Sequence, residues 1–109
     1  MHELAITQNI VSIVSQHSKG SRVKRVSLEI GKLSAVMPDA IRFCFDVCVE
    51  GTELENAELE IIEIDGRLKC QDCQKMTETN QVYGPCECGS WNTTPVAGQE
   101  LRVKEMELA

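Results

Sequence analysis

The sequence predicts an α+β fold: two helices packed on a small three-stranded sheet, with a four-cysteine module inserted before the last strand. Three observations lead there. Apolar residues recur at helical spacing in two segments and at strand spacing in three others. Between residues 67 and 94 both patterns give way to cysteine pairs.

Residues 3–19 form the first predicted helix. Ile6, Ile10, Ile13, Val14 and His17 fall at i, i+4, i+7, i+8 and i+11, one apolar stripe. Thr7, Gln8, Ser12, Ser15 and Lys19 take the other side, and Gly20 is the stop. His17 ends the stripe as a packing or solvated residue, not a ligand. Then VSLEIGKL sets Val26, Leu28 and Ile30 at alternate positions, a half-buried strand. Pro38 suits the first position of a second helix, and Asp39 suits the dipole of its first turn. Along it Ile41, Cys44, Phe45 and Cys48 sit at i, i+3, i+4 and i+7, and Gly51 closes it. ELENAELEIIEID is a second strand carrying Leu59, Ile61, Ile62 and Ile64. From Arg67 to about Trp91 periodicity is lost, NTTPVAG reads as a turn, and ELRVKEMEL is the last strand.

A chain of 109 residues, 42% of them hydrophobic, supports one main domain with a small satellite. It buries roughly 65% of its unfolded surface. With four aromatic residues, its core rests on Ile, Val, Leu and Met, and a metal or other staple would help it. The net charge of −6 comes mainly from residues 1–66, which hold eleven Asp/Glu against six Lys/Arg. Nucleic-acid binders usually present a basic face, because phosphate neutralisation supplies most of their affinity. The only basic concentration, Lys19, Arg22, Lys24, Arg25 and Lys32, reads as a solvated turn and strand face. The rival reading is a docking patch for an acidic partner. The seven acidic residues from Glu50 to Asp65 read as another solvated face. No basic n-region precedes the first apolar stretch, and no apolar run approaches the ~18 residues of a membrane span. The expectation is a reduced, cytoplasmic protein.

The module pairs CQDC (Cys70, Cys73) with CEC (Cys86, Cys88), twelve residues lying between the pairs. Facing cysteine turns can set four thiolates around one tetrahedral Zn²⁺, a four-cysteine, zinc-ribbon-like module. Met76, Val82 and Tyr83 are the only sizeable apolar residues between the pairs, too few for a core. A closed site supplies that stability, since structural zinc contributes about 10–16 kcal/mol of apparent binding energy in small modules. Disulfides and a rubredoxin-like iron site are the alternatives. The C-x-C half is tighter than the usual C-x₂-C knuckle, which makes it the more strained or labile half. Cys44 and Cys48 share the apolar face of their helix with Ile41 and Phe45, and core packing is their expected role.

The chain opens MHE. A free amine, the amide nitrogen of residue 2 and the His2 imidazole form fused chelate rings, an N-rich planar set suited to Ni²⁺ or Cu²⁺. The Glu3 amide can complete the plane and its carboxylate lies nearby. The first four N–H groups of a helix lack intrahelical partners, so these amides are available. The chemistry requires Met1 to be retained, as is expected when His follows it. On its own, His at position 2 is more often an ordinary helix-start residue.

Taken together, MHE, LEIGKLSAV, PDAIRFCFDVCVEGT, the ELEI strand, CQDC and CECGS resemble the HypA/HybF hydrogenase maturation factors, which are nickel metallochaperones. The resemblance covers nearly the whole chain. It implies a nickel-binding α/β domain over 1–66 plus 95–109 and a zinc-binding module over 67–94. It maps nickel ligation onto the Met1 amine, His2 and Glu3, and zinc onto Cys70, Cys73, Cys86 and Cys88. The family's second knuckle runs C-P-x-C-G-S. Here Pro85 stands where its first cysteine is expected and Cys86 comes one place later. Asp39 falls near the nickel neighbourhood without a motif match. The implied function is delivery of Ni²⁺ to the [NiFe]-hydrogenase large-subunit precursor, in concert with an accessory GTPase of the HypB type, and not an enzymatic one. The rivals are a zinc-ribbon interaction or nucleic-acid module with an irrelevant N-terminus, and a rubredoxin-like electron carrier.

Overall fold

Helix-forming residues and a left-handed stop set the first element. α1 runs Glu3–Ser18 and ends on Lys19 at φ 53°, with Gly20 at φ +86° behind it. The computed structural model describes residues 2–81 and 84–109; Met1, Val82 and Tyr83 lie outside the described residues. The buried face of α1 is Thr7, Ile10, Val11, Val14 and Ser18, rotated from the predicted stripe. Ile13 is 40% exposed and His17 is exposed. The reason is local. The Thr7 hydroxyl donates to the Glu3 carbonyl at 2.7 Å and the Ser18 hydroxyl to the Ser15 carbonyl at 2.9 Å, so both enter the core already satisfied. Nδ1 of His17 lies 2.8 Å from the Ile13 carbonyl.

β1 (Val23–Gly31) buries Val26, Leu28 and Ile30, as their alternation predicts, but Val23 and Ser27, out of that alternation, are buried too. β1 is the central strand of a sheet ordered β2-β1-β6, with β2 at Glu58–Ile64 and β6 at Leu101–Leu108. The Ser27 hydroxyl donates to Glu60 at 3.1 Å. Beside it the Arg25 guanidinium spans Glu60, Glu105 and Glu107 at 3.2, 3.7 and 3.3 Å. Lys24 pairs with Glu107 at 3.6 Å and Lys32 with Asp65 at 2.7 Å. The basic concentration and the acidic run therefore partly answer each other.

α2 (Pro38–Cys48) starts with Pro38 in its first turn and Asp39 beside it, and it buries Ile41 and Phe45. Val49 caps it, donating its N–H to the Phe45 carbonyl. Gly51 follows two residues later at φ +76°, inside the turn that buries Leu54 completely. α1 packs against α2.

The Cys-rich segment is not the aperiodic stretch expected. β3 (Gly66–Cys70), β4 (Met76–Thr79) and β5 (Thr93–Ala97) form a second three-stranded sheet, ordered β4-β3-β5 and antiparallel throughout. The NTTPVAG stretch is thus largely strand and not a turn. Pro95 is tolerated because β5 is an edge strand, where a missing N–H breaks no ladder on the outer side. Strands this short, with few apolar residues, left little period-2 signal.

By contact the chain divides into two compact units. One comprises the residues through Glu29, Val36–Ile62 and Arg102–Ala109; the other comprises Ile30–Ala35 and Glu63–Leu101. The first centres on Val14, Val26, Leu28, Ile41, Phe45 and Leu54. Each such side chain contributes roughly 1.5–3 kcal/mol when fully buried. The second has Ile30, Leu33, Leu68, Cys70 and Cys86 as its buried set. No helix among the described residues is long and apolar enough to cross a membrane.

Candidate metal centre

Four sulfurs converge in the second unit. Cys70 ends β3, Cys73 lies in the turn to β4, and Cys86 and Cys88 lie in the segment leading to β5. Antiparallel pairing brings the halves together: Cys70 sits opposite Thr93, and the Gln71 N–H donates to the Asn92 carbonyl at 2.9 Å. The first turn is closed by Cys70 N–H to the Lys75 carbonyl and Gln74 N–H to the Cys70 carbonyl, both at 2.9 Å, with Gln74 at φ 67°. The second turn is closed by Cys86 N–H to the Ser90 carbonyl and Gly89 N–H to the Cys86 carbonyl, both at 2.8 Å. Gly89 takes φ +90°, which favours glycine there.

The Sγ atoms of Cys70 and Cys88 are 3.7 Å apart, those of Cys73 and Cys86 are 3.4 Å apart, and all four lie within 4.8 Å of one another. A tetrahedral ion with metal–sulfur bonds of about 2.3 Å holds its sulfurs about 3.8 Å apart. Two of the sulfur pairs already stand near that separation and all four lie within 4.8 Å, so the donor set has the size such an ion requires. The displaced Cys86 does not spoil the arrangement, because the Cys86–Ser90 turn brings both Cys86 and Cys88 to the cluster.

The electrostatics agree. The Cys73 amide, 3.5 Å from the Cys70 sulfur, and the Asp72 amide pull the Cys70 thiol down to about 6 against burial. The Lys75 amide draws Cys73 down, but the Cys86, Cys70 and Cys88 thiols together with burial push it up to about 12. Cys88 is raised as well: the Ser90 amide lowers it, and Cys86, Cys70 and burial outweigh that. Four sulfurs this close cannot all carry charge unless a cation sits among them. Cys70 and Cys86 are buried, Cys73 and Cys88 exposed. Two polar pairs join the halves from outside, Ser90 to Asp72 and Lys75 to Glu87. Neither pair was read from the sequence, although the Asp of CQDC and the Ser of CECGS were both in view. None of the six cysteines is disulfide-bonded.

The other predicted ligands lie in the first unit. His2 is the N-cap residue of α1 (φ −89°, ψ 82°); it is exposed, makes no side-chain cap, and its carbonyl accepts from the Ile6 N–H at 3.0 Å. Glu3 opens the helix, half-buried, and Met1 lies outside the described residues. Asp39 is exposed in the first turn of α2. Cys44 and Cys48 are half-buried on α2 beside the buried Ile41 and Phe45.

Comparison with known proteins bears on both regions. A family model described as HypA, hydrogenase/urease nickel incorporation, metallochaperone, matches residues 1–108. A hydrogenase maturation factor HypA of Rippkaea orientalis is 59% identical over 109 residues, covering 99% of this chain and 96% of the relative. One of Nostoc punctiforme is 56% identical over 108 residues, with the same coverage of both chains. The solution structure of the Ni metallochaperone HypA from Helicobacter pylori superposes with a TM-score of 0.70 at 27% identity, over 99% of this chain and 97% of that one.

Proposed function

The chain belongs to the HypA family of hydrogenase/urease nickel-incorporation metallochaperones, and from that membership we propose that it carries Ni²⁺ at its N-terminus to the [NiFe]-hydrogenase large-subunit precursor. The ligands are the Met1 amine, the backbone and imidazole nitrogens of His2, and Glu3. The observation that carries this reading is positional. A histidine stands second, exposed, at the start of a helix whose first amides have no intrahelical partners. Amine, amide and imidazole then close fused chelate rings in a plane, which suits Ni²⁺. The helix dipole disfavours a cation here, and deprotonation of the amides offsets the ion's charge. Nitrogen ligands at a chain terminus can be displaced one by one by a client's cysteine thiolates, as a donor requires.

In the same reading residues 1–66 plus 95–109 form the nickel-binding domain, and residues 67–94 a zinc module. Cys70, Cys73, Cys86 and Cys88 would hold Zn²⁺, which supplies structural cross-linking with no open position for catalysis. The protein works in the cytoplasm with an accessory GTPase of the HypB type, as a carrier and not an enzyme.

Titration of the untagged protein with Ni²⁺, followed by the square-planar absorption band, tests this against His2→Ala. The band should saturate near one ion per chain in the wild type and be absent from the variant. Equal binding by the two proteins would sink the assignment.

A further inference from the structure

Three large apolar side chains stand exposed on the two helices of the first unit. Phe43 and Val47, neighbours at i and i+4 on α2, are 73% and 53% exposed. Leu4, in the first turn of α1, is 50% exposed. Leu4 and Val47 line one open groove of about 350 Å³ with Gln8, Val11 and Cys48. A groove between two helices takes the side-chain ridge of a third. Exposed aromatics beside such grooves are favoured anchors of protein interfaces.

Charge says what kind of helix fits. Asp39 and Asp46 flank Phe43 at i−4 and i+3, and Asp46 and Glu50 line a second groove with Glu55. Among the described residues none of Asp39, Asp46 and Glu50 enters an ion pair, whereas Glu60, Glu105 and Glu107 are answered by Arg25 and Lys24. Arg42, the only cation on α2, donates instead to the Leu59 carbonyl at 2.9 Å. Asp39 suits the positive end of the helix dipole. Asp46 stands in the last turn, which has no basic residue, and Glu50 follows the Val49 cap. Acids at that end disfavour the helix itself, and a cation brought by a partner relieves them. We propose that this face of α2 is a docking surface for a partner protein's amphipathic helix that carries Lys or Arg along one flank. Its apolar side covers Phe43, Val47 and the Leu4 groove, and its basic flank answers Asp46, Glu50 and Glu55. An isologous contact between two copies would bring two such unpaired ridges into one interface, and an anionic lipid surface is repelled by them. The inference goes beyond the nickel reading and holds without it.

The test uses the full chain with a photo-reactive benzophenone side chain in place of Phe43, in the cells that normally make it. The cross-linked peptide is read by mass spectrometry. The expected product joins position 43 to one partner protein, through a segment with apolar residues at helical spacing and Lys or Arg along one flank. The same group in place of Ile13, exposed on the opposite side of α1 from Leu4, should not capture it. A synthetic peptide of the captured segment is then titrated against the purified chain by fluorescence anisotropy. F43S and D46N/E50Q should each weaken binding about tenfold, and added salt should weaken the wild type more than D46N/E50Q. All three side chains are exposed, and D46N/E50Q removes acids from the negative end of the dipole, so it should melt no lower than the wild type. Lost affinity then reports the surface and not the fold. The proposal is overturned by no cross-link, by equal capture from position 13, or by undiminished binding of D46N/E50Q. A cross-link only to a second copy, to lipid, or to a segment without the basic flank overturns it as well.

Discussion

Thr7 shows why residue-level burial departed from the expected stripe on α1. Its hydroxyl donates to the Glu3 carbonyl one turn back, so a polar residue reaches the core without an unmet hydrogen bond. Ile13, though more apolar, points to a less protected side and is 40% exposed. Thr7→Val keeps the shape and removes a bond made within the helix, so it should cost less than about 1 kcal/mol. Phe45→Ala, at 2% exposure in the unbroken core, should cost about 3–5 kcal/mol. Urea unfolding of the two variants would measure the contrast. Asp65 gives the pH dependence at this scale. Its hydrogen bond and ion pair with Lys32 hold the carboxyl below its usual range, and the same pair raises Lys32. For Asp65, a depressed pKa means stability present above the unfolded value of about 3.9 and lost as pH falls through the lower folded one. For Lys32, a raised pKa means stability present below about 10.4 and lost as pH rises through the higher folded one. Asp65→Asn should therefore flatten both limbs of a stability–pH profile measured by thermal melting.

The elements of the first unit were legible because each carries its own period. Ile41 and Phe45 announce α2, and Val26, Leu28 and Ile30 announce β1. Ser27 was not legible, since the partner that accepts from its hydroxyl, Glu60, comes from β2, held there by Arg25 two residues before Ser27 on β1. The β4-β3-β5 sheet was missed for a related reason. Its strands are four or five residues long, and β5 contains a proline, so the local signal was a turn. The pairing comes from cross-links that a linear reading cannot see. Glycines mark how close those cross-links are. A Cβ on Gly31 would lie 1.9 Å from the Gly98 carbonyl oxygen, and Gly98 itself takes φ +101°. Gly31→Ala should cost more than about 3 kcal/mol, whereas Gly20→Ala, with open space around a left-handed φ, should cost about 1–2 kcal/mol. Stripping metal with a strong chelator should abolish hydrogen-exchange protection along Gly66–Cys70, because few apolar residues back those strands. Protection in the buried face of α2 should persist.

At the scale of the whole molecule, charge and chemistry are separated. The net charge is −6, and much of the basic concentration is engaged by Glu60, Glu105, Glu107 and Asp65. That leaves little cationic surface for a phosphate backbone, which weighs against the nucleic-acid reading. The four-cysteine cluster was legible from spacing alone, including its irregular half. Nickel at the terminus is a proposal that no geometry of the chain carries: His2 at a helix start is chemically suggestive and statistically ordinary, and what supports the reading is membership of a nickel-incorporation family over residues 1–108. The central claim is that His2 binds nickel because it is second, next to a free amine. The direct measurement is calorimetric and spectroscopic nickel titration of the untagged chain against the same chain carrying one glycine before Met1, with every side chain unchanged. The account predicts one tight square-planar site in the first protein and its loss, by at least a hundredfold in affinity, in the second. Equal affinity and an unchanged band in the extended chain would contradict it.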